Sequence, residues 1–119
     1  MKLYVDDRRS PPAEDWHVVR SVTEAIRALN LMVFDEVSLD HDICHEKEAC
    51  SAGYDWNEGY KVACNENFSA VAMFIARTPP EFRPKSVRIH TTNVDGAINM
   101  RFILAHVDIV AEWVPDLRE

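Results

Sequence analysis

Short runs of β-type and alternating apolar and polar residues predict the strands of this chain. Four such runs occur, at residues 2–5, 16–19, 36–40 and 86–90. The connection between the first two contains Pro11 and Pro12, and proline inside a helix removes a hydrogen bond and clashes with the preceding turn. We therefore predict a loop there, without a helix.

Apolar residues at helical spacing follow the second and the third of these runs. Ser21 and Glu24 match a capping box, which predicts a helix over residues 22–31. Asn67 is the predicted N-cap of a second helix, which ends at Thr78 because two prolines follow. The predicted core face of that helix consists of Phe68, Val71, Ala72 and Ile75.

The last third of the chain predicts one more helix. Asp95 is a suitable N-cap, and the helix after it places Ile98, Phe102 and Ala105 on one apolar face. Residues 107–110 fit either a final strand or a continuation of this helix.

Strands that alternate with helices predict an α/β fold of three layers around a mainly parallel sheet. At 119 residues, one domain spanning the whole chain is expected. Residues 43–66 lack clear periodicity and form a connection longer than usual, which is typical of a lid or binding segment.

Charge and composition limit the classes of function that this chain can have. Hydrophobic residues make up 47% of the chain and charged residues 28%, and 20 acidic against 13 basic side chains give a net charge of −7. This charge disfavours an extended nucleic-acid or anionic membrane surface, but it allows a small phosphorylated ligand or an RNA end at a local site. We expect a cytoplasmic protein, since no apolar run is long enough to cross a bilayer.

The three cysteines add little to the functional prediction. Cys44, Cys50 and Cys64 form an odd set without a secretion signal, which favours reduced thiols. Their spacing lacks the paired pattern of strong zinc sites.

Acidic residues follow the first and the third predicted strands. Asp6 and Asp7 come directly after residues 2–5, and Asp40 and Asp42 end the third run. Ligands of parallel sheets gather at the carboxyl ends of the strands, and carboxylates drawn together repel unless a cation offsets them. Mg²⁺, or another divalent cation, is therefore the predicted cofactor of these four acids.

Two histidines and a polar segment stand at the same predicted edge. His41 and His90 can exchange protons near neutral pH, and with Asp40 they form the predicted catalytic set. Hydroxyl, amide and guanidinium groups next to a helix start suit a phosphate. The predicted phosphate-binding residues are Arg8, Thr91, Thr92 and Asn93.

These blocks together resemble the cyclic-phosphate processing receiver-like domain family over residues 3–103. The resemblance is carried by Asp6-Asp7-Arg8 followed by Trp16, by Val37-Ser38-Leu39-Asp40-His41-Asp42-Ile43, by Gly53-Tyr54-Asp55, by Ile89-His90-Thr91 with Asn93, and by Gly96-Ala97 with Asn99-Met100. It implies a receiver-like (flavodoxin-like) fold, here with a shortened first helix. It also implies Mg²⁺ held by Asp6, Asp7 and Asp40, and action on cyclic phosphates such as 2′,3′-cyclic RNA ends or cyclic nucleotides.

Our functional hypothesis is a metal-dependent phosphoesterase-like domain that processes cyclic phosphates. The alternatives are a module that binds a cyclic phosphate without turnover, a receiver that accepts a phosphoryl group on Asp40, and an accessory protein-interaction domain. The resemblance places His41, His90 and Asn93 where ordinary receivers lack such residues, and no lysine ends a fifth strand. These differences favour hydrolysis over a phosphorylation switch.

Overall fold

The computed structural model describes residues 1–41 and 67–115, and their five strands form one parallel sheet. The elements are β1 (Lys2–Val5), β2 (Trp16–Val19), α1 (Val22–Leu31), β3 (Glu36–Leu39), α2 (Ser69–Arg77), a 3-10 helix (Pro80–Phe82), β4 (Ser86–Ile89), α3 (Val94–Ala105) and β5 (Glu112–Trp113). The strand order is β2-β1-β3-β4-β5. This is a receiver-like, flavodoxin-like α/β arrangement, as predicted.

One face of the sheet carries the hydrophobic core. Successive side chains of a strand point to opposite faces, and residues such as Leu3, Val5, Val37 and Leu39 are buried against the helices. Helices α1, α2 and α3 all contribute to this core, and α2 contacts both of the others. The described residues therefore place their three helices on a single face and form two layers, whereas the sequence predicted three.

The opposite face is polar and aromatic. Tyr4, Ser38 and Arg88 alternate with the core residues of β1, β3 and β4, and Trp16 begins β2 beside them. Residues 6–15, which connect β1 to β2, contain no helix. The predicted loop is thus confirmed, and the first helix of a receiver is absent from residues 6–15 rather than shortened.

The first helix follows its sequence signals closely. It spans residues 22–31 as predicted, and the Ser21 hydroxyl accepts the N–H of Glu24 at 3.1 Å. The Glu24 carboxylate in turn accepts the N–H of Arg20 at 2.7 Å. The first bond satisfies one of the N–H groups at the helix start, which have no partner within a helix, and the second holds the residue before the N-cap.

The second helix confirms its predicted end and core face, but Phe68 is its N-cap and the predicted N-cap Asn67 lies one residue before it. Helix α2 ends at Arg77 with Thr78 as its C-cap, and the Asn67 side chain accepts the N–H of Ser69 at 2.8 Å. All four residues of the predicted core face are buried.

The predicted start and core face of α3 are wrong. Asn93 is the N-cap, because its side chain accepts the N–H of Gly96 at 2.9 Å and the helix begins at Val94. Ile98 and Phe102 are 56% and 63% exposed, and Ala105 is exposed as well. The buried face consists of Gly96, Ala97, Met100 and Leu104. The apolar residues of α3 lie on all sides of the helix, so their spacing in the sequence fits either of two faces as the buried one.

Both predictions for residues 107–110 are wrong as well. Asp108 adopts a left-handed conformation with φ of 64°, and the N–H of Ile109 donates to the Leu104 carbonyl at 3.0 Å. This Schellman-type arrangement ends α3. The last strand is Glu112–Trp113, two residues beyond the predicted segment. No helix in the part of the chain that the structure describes meets the length and hydropathy of a membrane span.

Phe68 is the residue whose truncation we expect to destabilise the fold most. Its side chain is fully buried in the core, and its N–H donates to the His41 carbonyl at 2.8 Å. We predict that Phe68→Ala lowers the free energy of unfolding by about 3–5 kcal/mol, since the truncation leaves a cavity. Urea denaturation measures this change.

The matched control for that variant is Phe82→Ala. Phe82 is 57% exposed in the 3-10 helix, and surface substitutions usually change stability by less than about 0.5 kcal/mol. Equal losses in the two variants would contradict the core assignment of Phe68.

Candidate active site

The parallel register brings three polar residues to one edge of the sheet. Val5 is level with Leu39, and Leu39 is level with Ile89. Asp6, Asp40 and His90 are the next residues along β1, β3 and β4. Backbone hydrogen bonds continue the ladder through them: the N–H of Asp40 donates to Val5 at 2.9 Å and the N–H of His90 to Leu39 at 2.8 Å.

These three residues form a buried group. Asp6 is 0% exposed, Asp40 is 3% exposed and His90 is 4% exposed. One potential ligand atom from each lies within 4.8 Å of the other two. The sequence therefore folds so that two carboxylates and an imidazole meet away from bulk water.

Asp6 is held in its ionised form by hydrogen bonds. Its Oδ2 lies 3.0 Å from Nε2 of His90, and its Oδ1 accepts the backbone N–H groups of Arg8 at 2.9 Å and Arg9 at 2.8 Å. Burial is the largest single effect on the pKa of Asp6 and raises it. The hydrogen bonds, led by that from His90, together outweigh burial and hold this pKa below the usual carboxyl value.

Arg9 places a positive charge beside both carboxylates. Its Nε lies 3.6 Å from Oδ2 of Asp6, and its Nη2 lies 3.8 Å from Oδ1 of Asp40. The guanidinium of Arg20 fixes this part of the chain, because it donates to the backbone carbonyls of Asp6 at 3.1 Å and Arg9 at 2.7 Å. Arg9 thus offsets part of the negative charge of the two acids.

His90 makes contacts on every side. Its Nδ1 lies 2.6 Å from the Ser38 hydroxyl, and its ring stacks on Tyr4 with centroids 4.4 Å apart and planes 7° apart. An ionised Asp6 accepts a hydrogen bond from Nε2, and the second ring nitrogen, Nδ1, shares a hydrogen bond with the Ser38 hydroxyl. Ser38 and Asp6 together fix the orientation of the imidazole.

His41 occupies the rim of the group and is half-buried. Its Nδ1 lies 3.4 Å from the side-chain nitrogen of Asn93. The ring packs directly on the backbone of Gly96, where an added Cβ would lie only 2.4 Å from Cγ of His41. Glycine at this position therefore makes room for the histidine.

The predicted phosphate-binding residues have different environments. Arg8 and Thr92 are exposed, and Thr91 is buried. The Thr91 hydroxyl accepts the N–H of Asn93 at 3.1 Å, and the Asn93 side chain caps α3. Thr91 and Asn93 therefore shape the turn between β4 and α3, and Arg8 and Thr92 are the more accessible of the four.

The predicted metal ligands are only partly brought together. Asp6 and Asp40 belong to the buried group, whereas Asp7 is half-buried and stands outside it. Asp42 lies outside the described residues, as do the three cysteines and the long connection over 43–66. Two carboxylates suit a hard divalent ion, and an imidazole next to them suits transition-metal ions as well. The donor set therefore fits a divalent cation.

Sequence reasoning missed Arg9 and Ser38. The sequence favours Arg8, which directly follows the acidic pair, but the turn after β1 directs the side chain of Arg9 to the carboxylates. Ser38 is 2% exposed in the middle of a strand. A serine between two apolar residues of a buried strand was the available signal, because a buried hydroxyl needs a hydrogen-bond partner.

The amino-acid sequence of the chain matches a family of known proteins. The family model described as "Cyclic-phosphate processing Receiver domain" matches residues 1–106, which include β1 to β4 and the helices that the structure describes. The chain matches no curated protein and no solved structure.

Proposed function

The chain belongs to the cyclic-phosphate processing receiver domain family, and on this premise we propose that it is a metal-dependent phosphoesterase that opens cyclic phosphates. The proposed substrates are 2′,3′-cyclic ends of RNA or cyclic nucleotides. The net charge of −7 favours contact with a small ligand or a strand end over contact with a long nucleic acid.

The observation that carries this proposal is the buried group of Asp6, Asp40 and His90. Two carboxylates removed from water repel each other, which is costly unless nearby positive charge offsets them. A structural role alone would not require three ionisable side chains at one sheet edge. The group adjoins the N-terminus of α3, where phosphate groups are favoured.

A divalent cation held by Asp6 and Asp40 would stabilise the negative charge that develops on the phosphoryl oxygens. Arg9 adds a fixed positive charge beside the same carboxylates. The accessible Arg8 and Thr92 would bind the substrate phosphate from the outside of the group.

The protein's own groups can supply the proton transfers of hydrolysis. Water forms a bond to phosphorus, one ester P–O bond of the ring breaks, and the released ribose oxygen needs a proton. His41 lies at the rim of the group beside Asn93, and its imidazolium form would donate a proton from Nε2 to that oxygen. Asp40 accepts the proton of the attacking water, and proton exchange with solvent then returns Asp40 and His41 to their starting protonation states.

His90 has a different role in this scheme. Both of its ring nitrogens are engaged, one with Ser38 and one with Asp6. His90 therefore positions the Asp6 carboxylate and keeps it ionised, and His41 is the histidine that can reach a substrate.

Removal of the cation is the direct test of this function. We expect purified protein with Mg²⁺ or Mn²⁺ to convert 2′,3′-cyclic nucleotides into nucleoside monophosphates, and we expect a chelator to abolish the conversion. Chromatography of the products measures the turnover, and calorimetry of the cation alone measures binding without reference to activity. Turnover that survives complete chelation would contradict the metal dependence.

The other outcomes of this experiment distinguish the alternative functions. Binding of a cyclic nucleotide without turnover would select a sensor. Labelling of Asp40 by acetyl phosphate would select a phospho-accepting receiver. Failure to bind either a cation or a phosphate ligand would favour an accessory protein-interaction domain.

A further inference from the structure

A cavity of about 170 Å³ opens on the face of the sheet that carries no described helix. Its floor consists of side chains from four neighbouring strands, and its walls come from the first loop and from the segment after β5. The lining residues are Tyr4, Pro12, Trp16, Ser38, Arg88, His90, Val114 and Pro115. The cavity lies on this face because the connection between β1 and β2 forms no helix that would cover it.

The cavity adjoins the candidate active site. Ser38 and His90 line it, and His90 reaches Asp6 through Nε2 at 3.0 Å. Both of these lining side chains are more than nine-tenths buried. One imidazole ring therefore separates the acidic group from the cavity.

The chemistry of the lining suits a flat, polar ring. Tyr4 and Trp16 supply aromatic surface, in contact edge to face at 5.8 Å. Arg88 is held between two carboxylates, with Nη2 3.2 Å from Glu36 and Nε 3.8 Å from Glu112. The distance to Glu112 is too long for a hydrogen bond, and the buried Nε has no hydrogen-bond partner among the described residues. An acceptor on a ligand would satisfy this donor.

We propose that this cavity binds the nucleobase of a nucleoside cyclic phosphate. The inference deepens the proposed function by naming its substrate class, and it rests on that function. Arginine donors pair with the acceptors on the edge of a base such as guanine, and bases stack on aromatic side chains. The cavity is smaller than the roughly 300–1,000 Å³ of drug-sized sites, which fits one ring system and excludes a whole nucleotide.

The covalent structure of the ligand matches the placement of the two sites. In a nucleoside 2′,3′-cyclic phosphate the phosphate joins O2′ and O3′, and the base stands on the neighbouring C1′. Phosphate and base are therefore separated by a single ribose. The active-site group and the cavity are likewise adjacent, with His90 between them.

Nucleosides without phosphate test the cavity independently of hydrolysis. We expect guanosine at millimolar concentration to shift the NMR signals of the Trp16 indole and of Ser38. If guanosine, adenosine and uridine all leave these signals unchanged, the proposal is wrong even where cyclic nucleotides are hydrolysed. If nucleosides shift them in a protein without turnover, the base site stands and the proposed phosphoesterase function fails.

A second arm compares ligands with and without a base. We expect guanosine 2′,3′-cyclic phosphate to bind at least tenfold more tightly than glycerol 1,2-cyclic phosphate. Arg88→Gln should reduce this ratio to near one, and Val114→Trp, which fills the cavity from its exposed edge, should do the same. Arg101→Gln, on the exposed side of α3, is the matched control and should keep the ratio. Preservation of the full ratio in both cavity variants would overturn the proposal.

Discussion

Asp40→Asn is expected to abolish cation binding and to lower the turnover of cyclic phosphates by at least 10²–10³-fold, on the order of the loss for one electrostatic stabiliser of a transition state. Asp40 is 3% exposed and belongs to the group with Asp6 and His90. Asparagine has nearly the same shape but lacks the charge. The substitution therefore removes one of the two carboxylates that attract the cation, together with the acceptor for the proton of water.

Thermal unfolding separates loss of function from loss of fold in this variant. Without cation, we expect Asp40→Asn to unfold near the wild-type temperature, because the lost charge relieves repulsion from Asp6 and Arg9 still contacts Asp6. A cation at one hundred times its Kd stabilises the wild-type protein by about 2.7 kcal/mol, which raises the Tm by roughly 10 °C. The variant should show no such increase.

Asp35→Asn is the matched control for that experiment. Asp35 precedes β3 at the opposite end from Asp40, and its carboxylate is exposed. The N-terminal ammonium and Lys85 hold the pKa of Asp35 below the usual value, so its role is local pairing at the surface. We expect this variant to retain cation binding and turnover. Turnover by Asp40→Asn equal to that of Asp35→Asn would remove Asp40 from the reaction.

The acidic edge of the sheet could be predicted because an acid that directly follows a strand is visible in the sequence, without knowledge of side-chain packing. Strand β1 is a short β-type run and β3 alternates polar and apolar residues, and each is followed directly by a carboxylate, so Asp6 and Asp40 stand out in the sequence. Parallel strands place their carboxyl ends at the same edge. The fold class follows from the same pattern of short strands and intervening helices.

Contacts between side chains of distant segments were not predictable in the same way. Arg9, rather than Arg8, reaches the carboxylates because the backbone turns after β1, and two N–H groups of that turn bind Asp6. Ser38 meets His90 across 52 positions of sequence. Helix α3 has apolar residues on both faces, so only packing against α2 and β4 selects its buried side.

Gly96→Ala is expected to lower turnover about 10²-fold without unfolding the protein. An added Cβ would stand 2.4 Å from Cγ and 2.6 Å from Nδ1 of His41, so the imidazole must move. Displacement of a catalytic group by about 1 Å can cost this factor. The substitution places alanine in the first turn of α3, where it raises helix propensity by about 1 kcal/mol, which offsets part of the strain. Steady-state kinetics measure the loss of turnover, and urea denaturation measures the change in stability.

A double-mutant cycle shows whether Gly96 acts through His41. If His41 donates the proton to the released ribose oxygen, His41→Ala alone lowers turnover by about 10²–10⁴-fold. In that background the ring that would clash is gone, so adding Gly96→Ala should have no further effect on turnover and should stabilise the fold slightly. An equal further loss in both backgrounds would mean that the glycine serves something other than the histidine. The result therefore tests, at one position, whether the close packing of α3 against His41 exists to present a proton donor to the substrate.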